Sequence, residues 1–195
     1  MLSTKKQNLL YEAIFPTDPD CDTQVQEELL LKVDWIDTPL GLMLTIADEK
    51  ALYLLEFMNR QRVAKGIKSI RSEMKFAVTP GTTPPIESIK YELYQYFTGT
   101  LKRFETPIKM IGTPFQKNVW GALREIPIGE TCSYSHIAKK LNNSGAIRAV
   151  GTANGANKLA IVIPCHRVIN ANGQMGGYAG GLDKKKWLLQ HEANL

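Results

Sequence analysis

Between Leu29 and Phe57 the apolar residues fall into three strand-length blocks, and from residue 86 onward the spacing changes to that of helices. This change of period constrains the fold more than any other feature, because a strand pattern and a helix pattern cannot exchange places. The blocks are LLLKVDWI, LMLTIA and ALYLLEF. Thr38-Pro39-Leu40-Gly41 and the polar run Asp48-Glu49-Lys50 separate them, which is turn chemistry. An antiparallel meander is expected. A polar, basic helical stretch then runs to about Arg71, followed by a short strand near Phe76 to Val78 and a Thr/Pro-rich loop ending at Pro85. These elements predict a small α+β domain over residues 32–85, with residues 1–31 as a loosely attached extension.

The second half reads as mainly α. Ile86, Ile89, Leu93, Tyr96 and Phe97 lie on one helical stripe, closed by Gly99. Thr113-Pro114-Phe115-Gln116 is a capping box with Pro at the first helical position, and the helix behind it should bury Phe115, Val119, Ala122, Leu123 and Ile126. Ser133 can cap a further helix to about Leu141, and Ser144 can cap the next, GAIRAVGTANG. Two short helices joined by a polar turn follow the helix-turn-helix plan. The second is lined with Gly145, Ala146, Ala149, Gly151, Ala153 and Gly155. Gly costs up to about 1 kcal/mol per helical position against Ala, so this composition implies close approach, either of another surface or of the protein's own core. The run LAIVI then predicts a buried strand that ends at Pro164 and delivers Cys165 to a sheet edge. A glycine-rich loop and a last helix, from about Asp183 to Glu192, complete residues 86–195 as one domain.

Composition narrows the function classes. Hydrophobic residues at 44% and charged residues at 22% are ordinary for a globular chain. The N-terminal run lacks the apolar block of a signal peptide, and no stretch is long enough to span a bilayer, so a cytoplasmic (or nuclear) protein without membrane contact is expected. The three cysteines, Cys21, Cys132 and Cys165, show no CxxC spacing, which argues for reduced thiols. Residues 112–195 carry ten Lys and Arg against four Asp and Glu, whereas residues 1–111 carry fourteen against fifteen. A basic C-terminal half is compatible with a polyanionic partner without being diagnostic of one.

A thiol becomes an effective nucleophile on deprotonation, commonly by an imidazole that a carboxylate orients. Cys165 is followed directly by His166, and His191-Glu192 closes the last helix. An isolated Cys-His pair is more often structural; the fixed Pro before this one and the glycine loop after it favour chemistry. The run IPCHRV, preceded by RAVGTANGANKLAIV and followed by GYAGG and WLLQHE, resembles the active-site region of the O6-alkylguanine-DNA alkyltransferases. The similarity covers residues 86–195 and, more weakly, the meander.

The resemblance implies a ribonuclease H-like first domain and a winged helix-turn-helix-like DNA-binding unit in the second. It also implies irreversible, stoichiometric transfer of an alkyl group from O6-alkylguanine, and from O4-alkylthymine, to Cys165. His166 would be the water-mediated base, Glu192 the group that holds it, and Asn157 the brace of the active-site turn. Tyr134 would rotate the nucleotide and give its proton to the departing base. Arg148 would fill the gap left by the extruded base. Ser133, Ala146, Ala149 and Gly151 would lie against the minor groove of double-stranded DNA. Backbone groups of Cys165, Val168, Tyr178 and Ala179 would read the guanine; many relatives carry Ser where this chain has Ala179. No cofactor and no metal are expected, since residues 1–111 offer one Cys and no His, and a monomer is expected. Two other readings stay open: a damage sensor of the same fold that does not repair, and a cysteine hydrolase using Cys165 and His166.

Overall fold

The structure, a computed structural model, describes Tyr11, Ile14 and residues 29–195. Most of the expected N-terminal extension lies outside these residues. Its last three do not behave as an extension: Leu29 opens β1, Leu29–Ile36, and Leu31 is wholly buried.

The chain divides into two compact units. In the first, β1, β2 (Met43–Ala47) and β3 (Leu52–Phe57) form the expected antiparallel meander, with Val33 opposite Ile46 and Thr45 opposite Leu55. Every residue of β2 and β3 is buried. Helix α1, Arg60–Arg71, is capped by the Asn59 side chain and carries the chain back to β4, Phe76–Pro80, which pairs parallel to β1. The sheet order is therefore β3-β2-β1-β4. A Cβ on Gly66 of α1 would lie 2.3 Å from a methyl of Leu54, so glycine here sets how close the helix comes to the sheet.

Helix α2, Pro84–Phe97, buries Ile86, Ile89, Leu93 and Tyr96 as the stripe predicts. The units divide inside it, at Tyr94, and not ahead of it near residue 85; Thr106–Lys109 returns to the first unit. That return is anchored by main-chain bonds from Leu52 to Pro107 and from Lys109 to Leu52, each 2.8 Å. Thr106 is also held there, its N–H and hydroxyl donating to the Glu92 carboxylate.

The second unit is mainly helical. Helix α3, Pro114–Arg124, has the full capping box at Thr113 and Gln116. It buries Val119, Trp120, Ala122 and Leu123, whereas Phe115 is only half-buried. Trp120 takes the central place because its indole N–H donates to the Ala153 carbonyl at 2.8 Å. Two-residue strands β5 (Cys132–Ser133) and β6 (Val168–Ile169) pair in parallel. Ser133 caps α4, Tyr134–Lys140, with its hydroxyl accepting from His136 N–H at 3.1 Å. Helix α5 spans Ile147–Gly155 and starts at Ala146 with no side-chain cap; Ser144 lies before it, exposed, and does not cap it. The last helix, α6, spans Leu182–Glu192.

Candidate active site

The segment expected to be a strand ending in Pro-Cys is a tight, irregular turn. Ala160 bridges Ile163 over a backbone in which Ile161 has φ of 71°, a left-handed conformation that a β-branched residue adopts only at a cost. Cys165 then opens a single 3-10 turn, Cys165–Arg167, rather than standing at a sheet edge. Side-chain amides hold the turn. Asn157 Oδ1 accepts from Leu159 N–H at 2.9 Å, while its Nδ2 donates to the Ile163 carbonyl at 2.9 Å and reaches Cys165 Sγ at 3.2 Å. Asn154 Nδ2 donates to the Cys165 carbonyl at 3.2 Å. Without strand partners, these amides provide the bonds that the buried backbone requires.

His166, next in the turn, is wholly buried and meets Glu192 across the unit, Nε2 to Oε1 at 2.8 Å. A carboxylate can only accept, so Nε2 carries the proton and Nδ1 keeps its lone pair. That Nδ1 is buried with no hydrogen-bond partner. Burial holds the imidazole pKa below its ordinary value despite Glu192, and the Arg167 and Lys185 charges push the same way, so the ring is neutral near neutral pH.

Glu192 is the hub of the site. Beyond His166, it accepts from the Tyr96 hydroxyl at 2.6 Å and from Arg167 Nε and Nη2 at 2.8 and 2.9 Å. Burial alone would raise its pKa; the bonds from His166 and Arg167 outweigh burial and hold the carboxyl well below the usual range. Arg167 also donates to the Ile126 carbonyl at 2.6 Å. Lys185 is fully buried, with Nζ donating to the Val168 carbonyl at 2.6 Å and the Gly176 carbonyl at 3.2 Å; burial depresses its pKa.

Tyr134 is the first residue of α4 and half-buried, and its phenol pKa is raised by burial and by nearby Cys165. Glycine makes room for it: a Cβ on Gly176 would lie 2.6 Å from its hydroxyl. Gly151, on α5, faces the same ring. Tyr178 presents its ring edge-on to His166, at 6.4 Å between centroids. Ala179 is exposed in the loop. Arg148 and Ala149 are exposed on α5 beside half-buried Ala146. Thus Cys165, His166, Glu192 and Asn157 form one bonded cluster, Tyr134 and Tyr178 adjoin it, and Arg148 and Ala149 lie on an outer face.

Sequence reasoning assigned no role to Arg167, Tyr96, Lys185, Asn154 or Gly176. Arg167 stands inside the IPCHRV run, and Tyr96 reads as one more apolar residue of a stripe. Lys185 is the middle of three consecutive lysines, which reads as a solvated face.

A family model described as 6-O-methylguanine DNA methyltransferase, DNA binding domain, matches residues 114–194. A methylated-DNA–protein-cysteine methyltransferase of Methanosarcina mazei is 44% identical over 159 residues, covering 82% of this chain and 95% of the relative. One from Shigella flexneri is 42% identical over 174 residues, covering 86% and 98%. Among solved structures, Mycobacterium tuberculosis OGT in complex with DNA superposes with a TM-score of 0.71 at 36% identity, covering 84% of this chain and 93% of that one. The O6-methylguanine-DNA methyltransferase of Pyrococcus kodakaraensis does so with a TM-score of 0.60 at 26% identity, covering 83% and 98%. The chain belongs to the methylated-DNA–protein-cysteine methyltransferase family.

Proposed function

We propose that this protein repairs alkylated DNA by moving the alkyl group from O6 of guanine, and from O4 of thymine, onto Cys165. The observation that carries this reading is buried, neutral His166, next in the chain to Cys165 and bonded to Glu192, whose Nδ1 has a lone pair and no partner. In the transfer, the Cys165 thiol loses its proton through a water to His166, sulfur attacks the alkyl carbon, and the C–O6 bond breaks. Tyr134 gives a proton to the guanine ring as it leaves, and solvent restores both side chains. The product is a thioether, which no neighbouring group can hydrolyse, so each molecule acts once.

Double-stranded DNA is the partner. Helices α4 and α5 serve as the helix-turn-helix of a winged unit, and the first unit is ribonuclease H-like. Arg148, exposed among small residues, enters the duplex from the minor groove and replaces the extruded base. Ser133, Ala146, Ala149 and Gly151 line that approach, and backbone at Val168, Tyr178 and Ala179 reads the base. Among the described residues no helix is long and apolar enough to cross a membrane. The protein works as a monomer in whichever compartment, cytoplasm or nucleus, holds the DNA.

Intact-mass analysis after incubation with a duplex carrying O6-methylguanine tests the proposal. One methyl group should arrive per molecule, on Cys165, and Cys165→Ala should accept none yet still bind the duplex. An unchanged mass in the unsubstituted protein, or repeated turnover, would refute it.

A further inference from the structure

Glu192 Oε1 accepts from three donors: His166 Nε2 at 2.8 Å, Arg167 Nη2 at 2.9 Å and the Tyr96 hydroxyl at 2.6 Å. Oε2 has Arg167 Nε at 2.8 Å and, farther off, the Gly129 N–H at 3.4 Å. A carboxylate oxygen has two lone pairs, so three donors on Oε1 share what two could fill, and each weakens the hold of the others. The oxygen that holds His166 is thus the crowded one. The hydroxyl that crowds it comes from α2, 96 positions earlier in the chain than Glu192.

Packing does not require this hydroxyl. Tyr96 is wholly buried, with its ring against those of Phe97, Phe104 and His191, and a phenylalanine would fill that seat without burying a polar atom. Nor does Glu192 need it to stay ionised, because Arg167 supplies a charge-assisted pair of bonds. What the hydroxyl adds is a donor without a charge, since burial and the Glu192 charge hold the phenol far above its ordinary pKa. Such a donor takes up part of the negative charge that would stabilise an imidazolium, and so disfavours the charged form of His166.

We infer that Tyr96 is a positioning residue for alkyl transfer: its hydroxyl shares Glu192 Oε1, keeping the carboxylate on His166 while limiting how far it favours imidazolium, so the base stays neutral over a wider range of pH. The inference rests on the alkyl-transfer reading above. Other groups act on the same ring or its partner. Arg167 and Lys185 oppose protonation, Cys165 precedes the ring in the chain, and Tyr178 faces it edge-on. His191 adjoins Glu192 in sequence, and its Nε2 lies 2.8 Å from the Tyr96 carbonyl. Tyr96→Phe removes none of these groups.

The test is Tyr96→Phe in the full-length protein. Single-turnover transfer from a duplex carrying O6-methylguanine is measured per folded molecule from about pH 5 to about pH 9. The acid limb should move up by about half a pH unit, a fraction of the worth of one hydrogen bond to a charged group, so the variant loses about threefold more rate on that limb than on the plateau. NMR titration of the His166 ring should show the same upward move without substrate. Both moves should persist in a His191→Gln background; if they vanish there, His191 was the group being read and the inference fails. A rate lowered by one factor at every pH, with limb and ring titration unmoved, would make Tyr96 a packing residue and overturn it, as would a move downward. Should the unsubstituted protein take no methyl group at any pH, the alkyl-transfer reading itself falls, and the ring titration still decides whether Tyr96 acts on His166.

Discussion

Strands β2 and β3 of the first unit and the turn that carries Cys165 are both buried and both mainly apolar in sequence, yet different forces order them. Strands β2 and β3 expose none of their residues, and a ladder of main-chain bonds fixes their register. The Cys165 turn has no such ladder. Two asparagine amides, a carboxylate bonded to the side chains of Tyr96, His166 and Arg167, and a buried lysine on two carbonyls hold it in place. Packing tolerates small errors in many places, whereas a polar network concentrates its energy in a few atoms. Damage to the sheet should therefore lower stability while leaving the chemistry of the surviving molecules intact, and damage to the turn should do the reverse or both.

The sharpest way to break this contrast is Glu192→Ala. It leaves Arg167 as an unpaired buried charge and removes the partner of His166, so a loss of about 3 to 5 kcal/mol in chemical unfolding is expected, together with loss of alkyl transfer. Retention of transfer in the folded fraction would show that His166 does not depend on Glu192. Leu54→Ala, in β3 under α1, should cost about 2 to 5 kcal/mol through lost burial and a cavity, with the transfer rate per folded molecule unchanged. A slower rate in that fraction would mean that the two regions are coupled.

The smallest effect is a dependence on pH. His166 has a depressed pKa when folded, so below its ordinary value of 6.5 the unfolded chain binds a proton that the folded one refuses, and stability falls as pH falls. Glu192 is also depressed, but its contribution is lost only below its ordinary 4.5, so it does not overlap with histidine between the two values. Urea unfolding at pH 7 and pH 5 should show a larger loss of stability in the unsubstituted protein than in His166→Gln. Equal losses would place a charged imidazole in the fold.

The same contrast explains what sequence could reveal. The meander was legible because alternation and turn chemistry agree: Asp48 takes the Lys50 and Ala51 N–H groups, both at 2.7 Å, where the polar run predicted a turn. The capping box at Thr113 was legible for the same reason, since its partners are three residues apart. The line from Cys165 and His166 to Glu192 was read through a resemblance, and geometry now places His166 and Glu192 in contact. The Cys165 turn was misread because LAIVI satisfies a strand pattern, whereas Ile161 is left-handed and the amides of Asn154 and Asn157 bond the turn that follows. No local rule marks the middle of Lys184-Lys185-Lys186 as a buried residue.

One feature of the turn bears on how long the protein stays useful in a cell. Cys165 is only 6% exposed, while Cys132 is half-buried. Diffusing oxidants and small electrophiles therefore meet the Cys132 thiol more readily than the one that can be spent a single time. The shielding that a bulky base must push past is also what preserves the reagent until such a base arrives.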